Sequence, residues 1–559
     1  MLKALFSWLD AYPFLYWSLA LAVTGWAVIL AWRATSRSPG RGTNDAWIDA
    51  AIVATLFAWR WPFLLAAHQL TPDEAQQIAG AITLAHDPVF WRSVDGATAG
   101  PLDFYVLLLP HLVGAPLDFF FARLVGLLLV AGSLVILRRT LAQEAGPSAL
   151  PATLAATLMF ALSTDWEFIH YSTEHVPIFL STAAAALWWR TRPGSSGHTR
   201  PGWIAAGFVA GLLPWAKLQA SPFVVLFAGG ACWLALLRGN VSWKTSATEL
   251  ACYAVGLAVP TLLAAGCLAQ QHVWSDFWFS YIARNFQYAD QGWDLLFVLR
   301  EFARLTTPLR IFPAFLIACG GLLFVGLATT AMRRQRPSTF GAATALLAAT
   351  AVIVVLSPRR GFSHYLLFSI IPLAALAGAA LRTAADSRHR ALRWATLGAL
   401  FAAPLALVAV RATLPAPFMI GQLSDHWRHP YGSLASRVRQ VARPGDTIAV
   451  WGWSTEIYVH GQLPQAIRDA HSQRQIEPGP WQHYYRQRYL SDFHRNRPAV
   501  FIDAVGDGAF AYQDRGEFGH ETFPELAALV RADYVQIVDE IHARLYIRRD
   551  RVEPAPPKL

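Results

Sequence analysis

PLDFFFARLVGLLLVAGSLVIL, residues 116–137, runs directly into Arg138 and Arg139. The hydrocarbon core of a bilayer is about 30 Å thick, and a helix of roughly 20 apolar residues crosses it. This run is long enough. The cation pair that ends it is what the excess of Lys and Arg in cytoplasmic loops predicts. Outward from it the pattern repeats, with further candidate spans near 14–32, 47–67, 148–163, 176–190, 203–215, 220–237, 248–270, 308–331, 339–356, 364–382 and 393–413. The reading is an all-α polytopic membrane domain of about 12 transmembrane helices.

Composition agrees. Of 559 residues, 55% are hydrophobic and 15% charged, against about a quarter charged in soluble proteins. The mean hydropathy is +0.34. The net charge of +10 comes largely from Arg in short loops between apolar runs, which is the membrane pattern and not a nucleic-acid surface. Cys232, Cys252, Cys267 and Cys319 all sit inside apolar runs and read as small hydrophobes, neither disulfides nor metal ligands. The run 14–32 is long enough to span and is followed by Arg33 with no small-residue cleavage site, so it reads as a retained helix.

Cations set the orientation. One set of alternate loops carries Arg33, Arg37 and Arg41, then Arg138 and Arg139, Arg190, Arg192 and Arg200, Arg238 and Lys244, Arg333, Arg334 and Arg336, and finally Arg388, Arg390 and Arg393. These loops are read as cytoplasmic, and both termini then fall outside. Three outer segments are substantial: 68–115, 271–307, and everything after about 420. The aromatics and spaced charges of the second suit a helix on the membrane surface. The tail from about 430 has ordinary soluble composition, with strand-like runs at 446–453 and 498–505 and a strand pair within 533–549. Helical stretches SLASRVRQVA and FPELAALVRA accompany them, which makes a small soluble α/β domain; the last residues, EPAPPKL, read as disordered.

Few residues carry candidate chemistry. Asp73 and Glu74 follow Thr71 and Pro72, the N-cap and first position of a helix on the outer side. Two readings stand: acids that complement the helix dipole, or a carboxylate that acts as general base or metal ligand beside a lipid phosphate. Asp165, Glu167 and Glu174 lie with His170 and His175 in another outer loop, and Glu174 opens the next span. Acids at membrane depth are costly and tend to be functional. Lys217, Arg284, Arg359 and Arg360 stand out on the cation-poor side; they suit either a phosphate or snorkelling to headgroups. Arg359, Arg360, His364 and Tyr365 are read as phosphate-binding. The outer histidines lack His-x-x-x-His spacing, so a divalent metal stays open. There is no phosphate-binding glycine loop and no nucleophile elbow.

Four stretches together resemble the GT-C superfamily of membrane glycosyltransferases, and within it the bacterial relatives of the dolichyl-phosphate-mannose–protein mannosyltransferases (family 39, which includes aminoarabinose and lipopolysaccharide sugar transferases). They are TPDEA (71–75), GPLDFYVLLLPHLVG with FARLVGLLLVAG (100–132), HYSTEHVPIFL (170–180) and HYLLFSIIPLAALAG (364–378). The resemblance implies a GT-C-type catalytic domain over 46–420, preceded by an extra N-terminal helix and loop at 1–45 and followed by a periplasmic α/β domain at 430–559. It implies a polyprenyl-phosphate sugar donor, an envelope glycan, lipid or protein acceptor, surrounding membrane lipids, and a bacterial inner-membrane location. Asp73 then matches the carboxylate that activates the acceptor, Glu74 its partner and Glu174 a second site acid. Arg360, His364 and Tyr365 match the region near the lipid phosphate. Many relatives have Lys-Pro-Pro-Leu where this chain has Ala99, Gly100, Pro101 and Leu102. Lys217 or Arg359 is then expected to replace the missing lysine, or the donor is held differently. A transporter or flippase of a lipid-linked glycan is the alternative; it predicts mid-span charges and inverted repeats, and the sequence has few of the first and none of the second. Two further readings are en bloc oligosaccharide transfer and a non-catalytic scaffold that presents the tail.

Overall fold

The computed structural model describes residues 13–35, 45–65, 68–193, 195–236, 242–289, 295–306, 311–336, 338–385, 406, 407, 409 and 432–552. The chain divides into two compact units. One comprises Met1–Leu65, Arg123–Cys267 and Asn285–Leu423; the other comprises Ala66–Ala122, Leu268–Arg284 and Ser424–Leu559.

The first unit is helical. Phe119–Ala145, Leu218–Ala235, Trp243–Gln270, Ile311–Met332, Thr339–Leu356 and Ser363–Arg382 are each long and apolar enough to cross a membrane. Pro13–Thr35, Asp45–Leu64, Leu150–Leu162, His175–Arg190 and Arg200–Ala216 supply helices for the other expected spans. The expected span 393–413 and the arginine-rich segment before it lie almost wholly outside the described residues, as do Arg37, Arg41 and the terminal EPAPPKL.

Lipid gives no hydrophobic push between helices, so close backbone packing and polar contacts hold them together. Both occur here. A Cβ on Gly207 would lie 2.1 Å from the Tyr253 carbonyl oxygen, and one on Gly256 would lie 2.1 Å from that of Ile204. Helices Arg200–Ala216 and Trp243–Gln270 therefore touch backbone to backbone, with Gly211 extending the seam. Trp59 donates from its indole N–H to Thr24 Oγ1 at 2.9 Å, which ties Asp45–Leu64 to Pro13–Thr35. At the cation-rich end Asp49 accepts from Arg138 at 2.5 Å and pairs with Arg139 at 2.8 Å.

The second unit is built on a four-stranded sheet of β1 (Ile448–Trp451), β2 (Val500–Asp503), β3 (Tyr534–Asp539) and β4 (Arg544–Arg548) in the order β1-β2-β4-β3. β1 and β2 are parallel, and the other two pairings are antiparallel. β1 and β2 are wholly buried, as a parallel pair covered on both faces should be. All four strands fall in the expected runs, and the expected helices appear as Gly432–Val441 and Pro524–Asp533. The crossover between β1 and β2 includes the helix Gln482–Asn496, which the sequence reading lacked.

This unit also draws in two segments that sequence reading assigns to outer loops. Buried charges bind them to the tail. Asp95 pairs with Arg474 at 2.9 Å and with Arg488 at 2.7 Å, and both arginines also reach Asp469. Arg488 donates to Ser280 Oγ at 2.6 Å, and Arg468 bridges Asp276 at 2.9 Å and Asp492 at 2.8 Å. Burial opposes the charge on Asp95, but Arg474 and Arg488 outweigh it and hold the carboxyl well below the usual carboxylate range.

Candidate functional site

In the first unit, side chains from four segments meet where the cation-poor ends of the spans lie. The loop after Leu150–Leu162 carries Asp165, which caps the short helix Trp166–Ile169 by accepting from the Glu167 N–H at 3.0 Å. Glu174 sits at the N-cap position of His175–Arg190 but makes no side-chain cap bond. Its carboxylate is 1% exposed. It receives instead the Lys217 ammonium and the Ser172 hydroxyl.

Lys217 is delivered by a break in a helix. Arg200–Ala216 ends at Lys217, whose backbone is extended, and helical structure resumes at Leu218. The ammonium, 3% exposed as a residue, also donates to Thr173 Oγ1 at 2.7 Å and lies 5.2 Å from the centre of the Tyr365 ring. His364 belongs to the turn Ser363–Leu366 that precedes Leu367–Ala385. Its Nδ1 meets Glu167, and its Nε2 is 3.9 Å from Glu174 Oε1. The His364 and Tyr365 rings are edge to face at 4.6 Å.

Five residues singled out from sequence, Glu167, Glu174, Lys217, His364 and Tyr365, are thus brought together. The cluster offers a buried point charge, two carboxylates and an imidazole held between them. Lys217 stands where a cation would neutralise Glu174, so the ammonium already does what a divalent ion would do there. Arg359 and Arg360 lie half-buried between Thr339–Leu356 and the His364 turn. Arg359 has a left-handed backbone, with φ +52°, and the Arg360 guanidinium lies 4.8 Å over the Tyr288 ring. His170 Nδ1 is spent on the Trp166 carbonyl at 2.7 Å and His175 Nδ1 on the Ser172 backbone.

In the second unit Thr71 is the N-cap and Pro72 the first residue of Pro72–His86, as expected. The Glu74 N–H donates to Thr71 Oγ1 at 3.3 Å, and the buried Glu74 carboxylate accepts from the Leu70 N–H at 3.0 Å. Asp73 is exposed. One acid of the pair secures the helix start while the other faces outward. Thr455 from the tail donates to the Pro72 carbonyl at 3.0 Å. Asp503, His520 and Glu521 form the one metal-like grouping among the described residues. Arg544 reaches Asp503 at 2.5 Å and pairs with Glu521 as well, so the group is closed by a protein cation.

Sequence reasoning missed two buried arginines. Arg60 donates to the Phe160 and Phe168 carbonyls at 3.2 and 2.9 Å, and Arg123 donates to that of Phe63 at 2.9 Å. Each is a charge inside an apolar run, and that signal was available in the sequence.

No protein-family model and no curated protein sequence matches the chain. Solved structures do. The crystal structure of ArnT from Cupriavidus metallidurans bound to undecaprenyl phosphate superimposes with a TM-score of 0.59 at 14% identity, over 92% of this chain and 100% of that one. The apo state of the same protein gives 0.57 at 13% identity, over 91% and 99%. The likeness shows a shared fold across nearly the whole chain. That fold is mostly helical with a small C-terminal sheet, and six of the described helices are long and apolar enough to cross a membrane.

Proposed function

We propose that this protein is a glycosyltransferase that moves a sugar from a polyprenyl-phosphate donor to an envelope lipid, glycan or protein acceptor on the periplasmic side of a bacterial inner membrane. The observation that carries the reading is the convergence of Glu174, Lys217, His364 and Tyr365 at one end of the spans. The shared fold with a protein solved with undecaprenyl phosphate supports it. A lipid phosphate needs a buried cation at the membrane edge, and Lys217 is one. Sequence gave this chain no lysine in the segment 99–102, and Lys217 is the replacement.

The reaction is a direct displacement with inversion. The acceptor oxygen forms a bond to the anomeric carbon, the bond from that carbon to the donor phosphate oxygen breaks, and the acceptor proton passes to Asp73. The departing polyprenyl phosphate carries the negative charge away. Lys217, with Arg359, Arg360, His364 and Tyr365 around it, stabilises that charge as it develops. Asp73 is the base of its pair because it is exposed and Glu74 is buried. Glu74 then positions the helix that bears the base, and Glu174 holds Lys217 in place until phosphate arrives. Residues 46–420 form the catalytic domain in this reading, and the tail is periplasmic.

The test offers labelled polyprenyl-phosphate sugars one at a time, with envelope acceptors, to membranes holding wild type or Asp73→Asn at matched levels. Transfer by wild type and a loss of about 10²–10⁴-fold in the variant, the size expected of a general base, is the expected result. Equal labelling by both makes Asp73 a helix-end charge. No labelling by wild type from any donor removes the transferase reading.

A further inference from the structure

A cavity of about 550 Å³ opens among Phe119–Ala145, His175–Arg190, Ser221–Leu236, Thr339–Leu356 and Leu367–Ala385. Its size falls within the roughly 300–1,000 Å³ of ligand sites. On Phe119–Ala145, His175–Arg190 and Thr339–Leu356 it lies toward the arginine-rich ends, and on Leu367–Ala385 it is lined by Ile371, Pro372 and Ala375, in the half that follows the His364 turn. Along His175–Arg190 it is lined from Ser181 to Trp189, whereas Glu174 stands at the opposite end. At a rise of roughly 1.5 Å per residue, Ser181 at the near end is about 10 Å of helix from Glu174, and Trp189 at the far end is about 20 Å away. The walls are hydrocarbon almost throughout. Adjoining it is a second hollow of about 620 Å³ with a charged rim of Glu144, Arg192 and Arg382. Trp189, Trp233, Thr339 and Phe340 line both, so one runs into the other.

Two features ask for an acceptor of hydrogen bonds and negative charge. Trp189 is 6% exposed, and its buried indole N–H has no hydrogen-bond partner among the described residues. An N–H left so is costly unless something fills the space in front of it. Arg382 is exposed at the rim and pairs with no described carboxylate, while Arg192 shares Glu144 and lies over the Trp189 ring at 4.9 Å.

We propose that these joined hollows bind an anionic diacyl phospholipid of the cytoplasmic leaflet. An acyl chain fills the apolar cavity, a glycerol-ester oxygen accepts from the Trp189 N–H, and the phosphate sits at Arg382 and Arg192. The depth is right for a lipid headgroup, since the rim coincides with the loops whose cations mark the cytoplasmic face. A polyprenyl donor with its phosphate at the Glu174 end would bring only hydrocarbon here and leave Arg382 and Trp189 unanswered. The headgroup end of the site therefore lies apart from the proposed transfer site, and the proposal stands whether or not transfer is found.

The test uses full-length protein from nanodiscs of phosphatidylcholine with phosphatidylglycerol or phosphatidylethanolamine, released into detergent, with retained lipid counted by native mass spectrometry. One phosphatidylglycerol is expected to persist in preference to phosphatidylethanolamine. Arg382→Gln is expected to weaken retention about fivefold, the factor one cation contributes beside an anionic headgroup. Ala185→Phe, which fills the cavity, is expected to abolish it; should that variant fail to fold, the exposed Arg382 decides alone. Equal retention of both phospholipids with Arg382→Gln silent overturns the proposal in favour of annular hydrocarbon. Displacement by polyprenyl phosphate, one for one, overturns it in favour of the donor's own chain.

Discussion

The two units each bury a cluster of charges, and the clusters are built differently. In the second unit Asp95, Asp469, Asp276 and Asp492 are met by three buried arginines, Arg468, Arg474 and Arg488, and Asp492 also by the exposed Arg495. Guanidinium forks engage several carboxylate oxygens at once, which fixes geometry. In the first unit one lysine meets one carboxylate, two hydroxyls lie nearby, and a histidine stands 3.9 Å off. A lysine is a point charge on a flexible stem and can turn to another anion without dismantling a lattice. The first arrangement is suited to holding segments together. The second is suited to exchanging a partner.

That contrast can be broken, beginning with the largest effect. Removing one member of a buried ion cluster strands the rest, at about 3–5 kcal/mol. Asp95→Asn or Arg488→Met should therefore lower the unfolding temperature of the purified protein sharply and expose 66–122 and 268–284 to protease. A variant as stable as wild type would show that the arginine lattice does not hold the unit. Lys217→Met should lose about 10²–10³-fold in transfer, as removal of a transition-state charge partner does, with the protein still folded by limited proteolysis. Lys217→Arg keeps the charge but not the single-point geometry, so full activity in that variant would erase the distinction between the clusters.

Two smaller effects sharpen it. Glu456 in the second unit is buried, and burial, outweighing a hydrogen bond with Gln69, pushes its carboxyl up to about 7. The unfolded chain releases this proton in the ordinary glutamate range, while the folded chain keeps it until about 7. The unfolded state thus binds fewer protons in that window, and stability falls as pH rises through it, by on the order of 3 kcal/mol. Glu456→Gln should flatten the slope of unfolding temperature against pH between 4.5 and 7; an unchanged slope would place its origin elsewhere. Last, Thr71→Ala should cost about 1 kcal/mol through loss of the helix cap, read as a small shift in thermal unfolding.

The spans were legible because a membrane imposes a length and an apolarity that a single run of sequence must satisfy. Thr339–Leu356 and the run at 339–356 coincide for that reason. The strands of the tail were legible from short apolar runs such as IAVW at 448–451. The helix Gln482–Asn496 was not, because its buried stripe interleaves Tyr485, Tyr489 and Phe493 with the charged Arg488 and Asp492, which belong to the ion lattice. Lys217 could be picked out as a cation on the wrong side. Its meeting with Glu174, and that of His364 with Glu167 across 197 residues, could not, since no local pattern encodes a pair so far apart.

The arginine lattice also sets a timetable. Arg488 follows Asp95 by 393 residues, and at roughly 5–20 residues per second the ribosome needs about 20–80 s to connect them. Throughout that interval Asp95 has already left the ribosome while its counter-charges are still unmade. The segment must wait in water as a solvated loop, and the second unit can close only after the last spans have been threaded into the bilayer. A chain cut short before residue 468 would then insert its helices and still leave that loop hanging open, a ready substrate for quality-control proteases.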